Sequence, residues 1–183
     1  PEVDVYGLMQ SKKRKVITGV AYVTDRARYH FFDRERADLQ DELESRLPGR
    51  EVTVTSMSKD EERVLVHAGS DRTQGAYYFY DRTTGDFREL AQLSPWLNED
   101  ELAPMKPVQY TARDGLVIHG YLTLPAHSDG KNLPVVINPH GGPWARDSWG
   151  YDSEVQFLAS LGLAVLQMNF RGSTGYGRAF WEA

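Results

Sequence analysis

The chain has 183 residues, of which 26 are acidic and 21 basic, for a formal net charge of −5; 40% are apolar and none is cysteine. This is length for one sizeable domain or two small ones, in the ordinary composition of a soluble globular protein. The charge offers no basic surface for nucleic acid, no apolar run nears the roughly 20 residues of a membrane helix, and disulfides, thiolate zinc sites and a cysteine nucleophile are excluded. Residues Pro1 to Gln10 lack the basic and apolar regions of a secretory signal, and a cytoplasmic location is expected.

In chain order, Val16 to Val23 and Arg28 to Phe32 are rich in β-branched and aromatic residues and are predicted strands. Leu39, Leu43 and Leu47 recur every four residues, the apolar stripe of a helix that Pro48-Gly49 ends. Four short strands follow, Glu51 to Met57, Arg63 to Ala68, Ala76 to Tyr80 and Asp86 to Leu90, with turn-forming residues between each pair. Four consecutive antiparallel strands of this length make a β-propeller blade or part of a sandwich, and the blade fits better. A lone blade leaves both faces bare and needs neighbours. Residues 1–93 are therefore read as a terminal propeller-blade region.

Residues 94–107 read as a linker, punctuated by Pro95, Pro104 and Pro107 around acidic Glu99-Asp100-Glu101. Beyond it, residues 108–183 change texture. Val108 to Thr111 and Leu116 to Leu124 flank Arg113-Asp114-Gly115, a hairpin signal. Leu133 to Asn138 is an apolar run of the kind found in strands buried on both faces. A helix near Ser153 to Leu161 carries Ser153 and Gln156 as a capping box and Gly162 as its stop. Leu163 to Phe170 is a second buried strand. Strand, helix, strand predicts a βαβ unit, so the fold class is α/β with a β-rich N-terminal part.

The loop of that unit runs from Asn138 to Asp152, whereas such connections take about 2–6 residues. It leaves the carboxyl end of a parallel strand, where open α/β sheets place ligands. Gly141 and Gly142 let the backbone approach a ligand and turn an N–H toward it, as acyl transfer requires where a carbonyl oxygen becomes negative. The structural alternative is a tight turn closed by glycine.

Asn138-Pro139-His140-Gly141-Gly142-Pro143-Trp144, followed by Asn169-Phe170-Arg171-Gly172-Ser173-Thr174-Gly175-Tyr176-Gly177, resembles the prolyl oligopeptidase family of serine peptidases, closest to its acylaminoacyl-peptidase-like branch. The resemblance is strongest over residues 108–183. It implies a β-propeller followed by the first part of an α/β-hydrolase domain, with the His-Gly-Gly-Pro loop forming part of the oxyanion hole. Gly142, with Gly141, would supply the N–H; some relatives use a tyrosine hydroxyl at the place of His140, so backbone is favoured here over side chain.

The departure from the family is equally definite. An α/β-hydrolase serine sits in a Gly-x-Ser-x-Gly elbow, and no serine here has glycine two residues away on both sides; Ser173 and Ser148 have it on one side only. The chain is expected to stop before the nucleophile, to lack the whole triad and to be inactive alone. Gly172, Gly175 and Gly177 follow a strand but in the order G-x-x-G-x-G, which argues against a dinucleotide site. No cofactor or metal is expected. Arg171 either positions a substrate carboxylate or anchors its loop, with anchoring favoured. Trp144 and Trp149 either line a pocket or pack in the interior.

The expected function is as part of a serine oligopeptidase that hydrolyses short peptides. An esterase using the same loop is a second reading. A third is a non-catalytic assembly module, whose cut sheet would associate with itself or with the rest of its parent.

Overall fold

The computed structural model describes residues 3–142 and 144–183; Pro143, in the predicted loop, lies outside the described residues, as do Pro1 and Glu2. Strands β1 (Val5–Ser11), β2 (Val16–Val23) and β3 (Ala27–Phe31) form an antiparallel three-stranded sheet. Strand β1 has no counterpart in the sequence reading. It is mostly exposed and is defined by its pairing with β2, which no local periodicity announces.

Helix α1 (Arg34–Arg46) follows, capped by Asp33, whose carboxylate accepts the Arg36 N–H at 2.9 Å. Strands β4 (Glu51–Met57), β5 (Arg63–Ser70), β6 (Thr73–Asp81) and β7 (Phe87–Gln92) form the expected antiparallel meander in sequential order. The leucine stripe of α1 covers one face of it. Leu39 and Leu43 are buried with Val52, Val64, Val66, Ala68 and Tyr80, and Leu47 packs beside them.

The stretch predicted as linker is partly ordered structure. It contains a 3-10 turn (Glu99–Glu101), and its end opens β8 (Met105–Thr111), with Pro107 tolerated because β8 is an edge strand. Strands β8, β9 (Val117–Thr123), β10 (Val135–Ile137) and β11 (Ala164–Asn169) form a mixed sheet in the order β10-β11-β9-β8. Strands β10 and β11 are parallel, as the βαβ reading requires, and α2 (Ser153–Ser160) connects them.

Two local expectations are corrected. Strand β10 is not buried on both faces: Val135 is 56% and Ile137 52% exposed, because β10 is the outer strand of this sheet. The cap of α2 is Asp152 rather than Ser153, its carboxylate accepting the N–H groups of Glu154 and Val155 at 2.9 and 3.0 Å. Gln156 therefore does not close a capping box. Its amide instead donates to the carbonyls of Ala103 (2.8 Å) and Asp71 (3.0 Å) and accepts the Ala103 N–H.

The sheets meet through specific polar contacts. The Asp71 carboxylate accepts the Met105 N–H at 2.7 Å, and the Tyr121 hydroxyl donates to the Asp25 carbonyl at 2.9 Å. Trp149 is buried with Met105 and Tyr121, gives its indole N–H to the Met105 carbonyl, and stacks under the Arg26 guanidinium at 3.8 Å. The interior alternative for Trp149 is the one observed. A short helix, α3 (Arg178–Trp181), ends the described elements, and among these no helix is long and apolar enough to cross a membrane.

Candidate active site

The parallel strand β10 ends at Ile137, and the chain passes at once into the long loop. His140 is fixed at both ring nitrogens. Nδ1 lies 2.9 Å from the Gly141 carbonyl and Nε2 2.8 Å from the Ser173 hydroxyl, while the ring stacks on Phe170 with centroids 4.6 Å apart. A carbonyl can only accept, so Nδ1 carries the proton, and in the neutral ring Nε2 accepts from Ser173. The one N–H of the neutral imidazole is therefore already engaged.

A serine hydroxyl 2.8 Å from a histidine nitrogen has the distance of a nucleophile and its base. Ser173 is nevertheless 0% exposed, so no substrate carbonyl can reach it. The pair is a clamp between the two loops.

Gly141 and Gly142 are exposed beside this clamp, and among the described residues neither N–H donates to a protein acceptor. Gly142 has φ +137°, and a Cβ added there would sit 2.8 Å from the Trp144 N. Glycine is thus a steric requirement at the bend. Two N–H groups on an exposed bend, without an acceptor among the described residues, are able to meet an anionic oxygen.

The side chains of the remaining candidates engage other parts of the chain. Trp144 is 70% exposed and rests against Trp181 at 5.7 Å between centroids. The Arg171 guanidinium pairs with the Asp114 carboxylate of the β8–β9 hairpin at 2.6 Å and holds that carboxyl below its usual range. This contact is compatible with the anchoring alternative, and about half of each side chain stays exposed.

Asn169, Asp147, Arg146 and Tyr176 hold the later part of the same loop, around Asp147, and the sequence reading gave none of them a role. Buried Asn169, at the end of β11, accepts the Asp147 N–H at 2.7 Å and donates to the Asp147 carbonyl at 3.1 Å and the Tyr176 hydroxyl at 2.8 Å. Two side-chain bonds to one residue's backbone fix that part of the loop in direction as well as place. The Asp147 carboxylate accepts from the Gln167 amide at 3.2 Å, and burial pushes its pKa up. Burial likewise pushes the Tyr176 phenol up to about 12, keeping it a neutral hydrogen-bonding group. The ring of Tyr176 stacks flat on His119 at 5.0 Å. The sequence signal for this set is that Asn169 and Tyr176 belong to the second motif and Arg146 and Asp147 sit within the long loop.

Residues 149–183 match the model of the prolyl oligopeptidase family. The dipeptidyl aminopeptidase BIII of Pseudoxanthomonas mexicana is 41% identical over 155 residues, covering 81% of this chain and 22% of that protein. A solved puromycin hydrolase is 32% identical with TM-score 0.53, covering 66% of this chain and 19% of the other. A puromycin-hydrolyzing peptidase of Mycobacterium tuberculosis aligns over 100% of this chain and 29% of its own, with TM-score 0.68 at 24% identity, a likeness of fold. The chain thus spans about a fifth of the length of the curated relative with which it is compared.

Proposed function

The chain belongs to the prolyl oligopeptidase family of serine peptidases, and from that premise we propose that the complete protein hydrolyses peptide bonds in short peptides, with the Gly141–Gly142 bend as part of its oxyanion hole. The observation that supports this reading is the open bend itself, with two N–H groups that meet no acceptor among the described residues, beyond a parallel strand and next to a clamped histidine. His140 acts as a support and the backbone does the chemistry. Each N–H directed at the developing oxyanion is worth about 3 kcal/mol of transition-state stabilisation.

No serine of this chain stands in a Gly-x-Ser-x-Gly elbow, so the nucleophile, its base and the orienting acid belong to the remainder of the protein. This stretch alone is inactive. The N-terminal sheets are propeller blades preceding the α/β-hydrolase part, an arrangement that restricts access to short chains. The names of the relatives, a dipeptidyl aminopeptidase and puromycin hydrolases, favour amide cleavage near a free amino end over ester hydrolysis.

The complete protein is expected to be labelled covalently by a serine-directed phosphonate and to cleave aminoacyl or dipeptidyl amides faster than simple esters. Absence of labelling removes the serine peptidase reading. Labelling together with a preference for esters replaces it with an esterase.

A further inference from the structure

Arg146 stands where three separate stretches of chain meet. Its Nε donates to the Asp147 carbonyl at 3.2 Å. One terminal nitrogen donates to the Tyr176 hydroxyl at 2.8 Å and the Thr24 carbonyl at 3.2 Å, and the other reaches the Val23 carbonyl at 3.5 Å. The guanidinium also covers the Tyr176 ring, 4.4 Å from its centroid. None of these hydrogen-bond partners is a carboxylate. Backbone carbonyls and a neutral phenol give the fork little charge compensation and much directional restraint, the work for which guanidinium is better suited than ammonium.

The surroundings are shaped for this side chain. Gly175 has φ +90°, and a Cβ there would lie 2.6 Å from Arg146 Nη1. The neighbouring Ala145 carbonyl accepts the Thr174 N–H at 3.0 Å, so the two loops are joined on either side of the arginine. Val23 closes β2 and Thr24 lies in the β2–β3 turn, both in the N-terminal sheet. Arg146 therefore carries a mechanical link from that sheet to the loop that bears Gly141 and Gly142.

We propose that Arg146 is a positioning residue that sets the alignment of the Gly141–Gly142 bend by tying its loop to the β2–β3 turn. The proposal rests on the reading of that bend as an oxyanion hole. It makes the site's geometry depend on how the N-terminal sheet sits against the mixed sheet, since a shift of the turn pulls on the loop directly.

The test uses the complete protein with R146M, which keeps the stem and removes the donors, and R146K, which keeps the charge and loses the fork. In R146M, turnover of an aminoacyl or dipeptidyl amide is expected to fall by about 10²-fold, the scale of an ångström's misplacement at a reacting centre. KM should stay within about threefold and phosphonate labelling should slow in parallel, with R146K intermediate. Amide hydrogen exchange over residues 139–150 should quicken in R146M while β4–β7 keep their protection. A rise in KM with unchanged turnover, or unchanged exchange over residues 139–150, overturns the assignment. If the unaltered protein resists the phosphonate, the peptidase reading fails, and exchange still decides whether Arg146 holds the loop. Should R146M not fold, R146K is held to the same criteria.

Discussion

The four-stranded sheet with α1 and the pair of loops around His140 are held by different forces. In the first, Leu43 at 0% exposure sits among Leu39, Val64, Val66 and Tyr80, and many weak, non-directional contacts fix the packing. In the second, directional side-chain hydrogen bonds from Asn169 and Arg146 hold irregular backbone, and Ser173 holds the His140 ring. The first arrangement tolerates similar side chains of similar volume; the second does not, because a lost partner leaves a buried group unsatisfied. Such directional but easily broken support suits the proposed role of this loop, in which N–H groups are held in place.

Hydrogen exchange read separately in β5 and in residues 139–150 can break this comparison. The largest effect is expected from L43A, which should lower the opening free energy of β5 amides by about 2–5 kcal/mol, the cost of a buried leucine and the cavity it leaves. Protection over residues 139–150 should stay unchanged. Loss in both places would mean that the two regions open as one unit.

N169A is expected to do the reverse at smaller scale. It orphans the Asp147 N–H and leaves the Asp147 carbonyl with Arg146 as its one side-chain donor, for a loss of about 2 kcal/mol in the opening of residues 139–150, while β5 is untouched. No change there would show that the hydrogen bonds are not the restraint.

The smallest effect belongs to R171A. Its ion pair with Asp114 is about half exposed, and solvent screens it, so the denaturation midpoint should not move measurably. If R171A instead raises KM for substrates with a free carboxylate, Arg171 is a substrate contact after all.

The same contrast explains what could be read in the chain itself. Helix α1 is visible because Leu39, Leu43 and Leu47 repeat at the helical period, and the meander because turn residues separate its strands. Strand β1 is not, since its identity comes from the partner β2 rather than from its own alternation. The run from Leu133 to Asn138 looks buried because apolar side chains carry no record of where in a sheet the strand will lie. Asp152 and Ser153 are adjacent and both cap well, so only the geometry decides between them. At the candidate site the glycine bend is legible from its motif. The contacts of Arg146 are not, since two of its acceptors are backbone carbonyls more than a hundred positions away, and a carbonyl leaves no mark in a sequence.

One contact bears on how the chain assembles in time. The Asp4 carboxylate accepts the N–H groups of Gly175 at 3.2 Å and Gly177 at 3.3 Å, and the Asp4 N–H donates to the Gly175 carbonyl. These partners are separated by 171 and 173 positions along the chain. Bringing such distant segments together carries a large closure entropy, and encounters of this kind form late in folding. The segment from Gly175 to Gly177 should therefore be among the last parts to acquire its native shape, after the meander and the mixed sheet have formed around it.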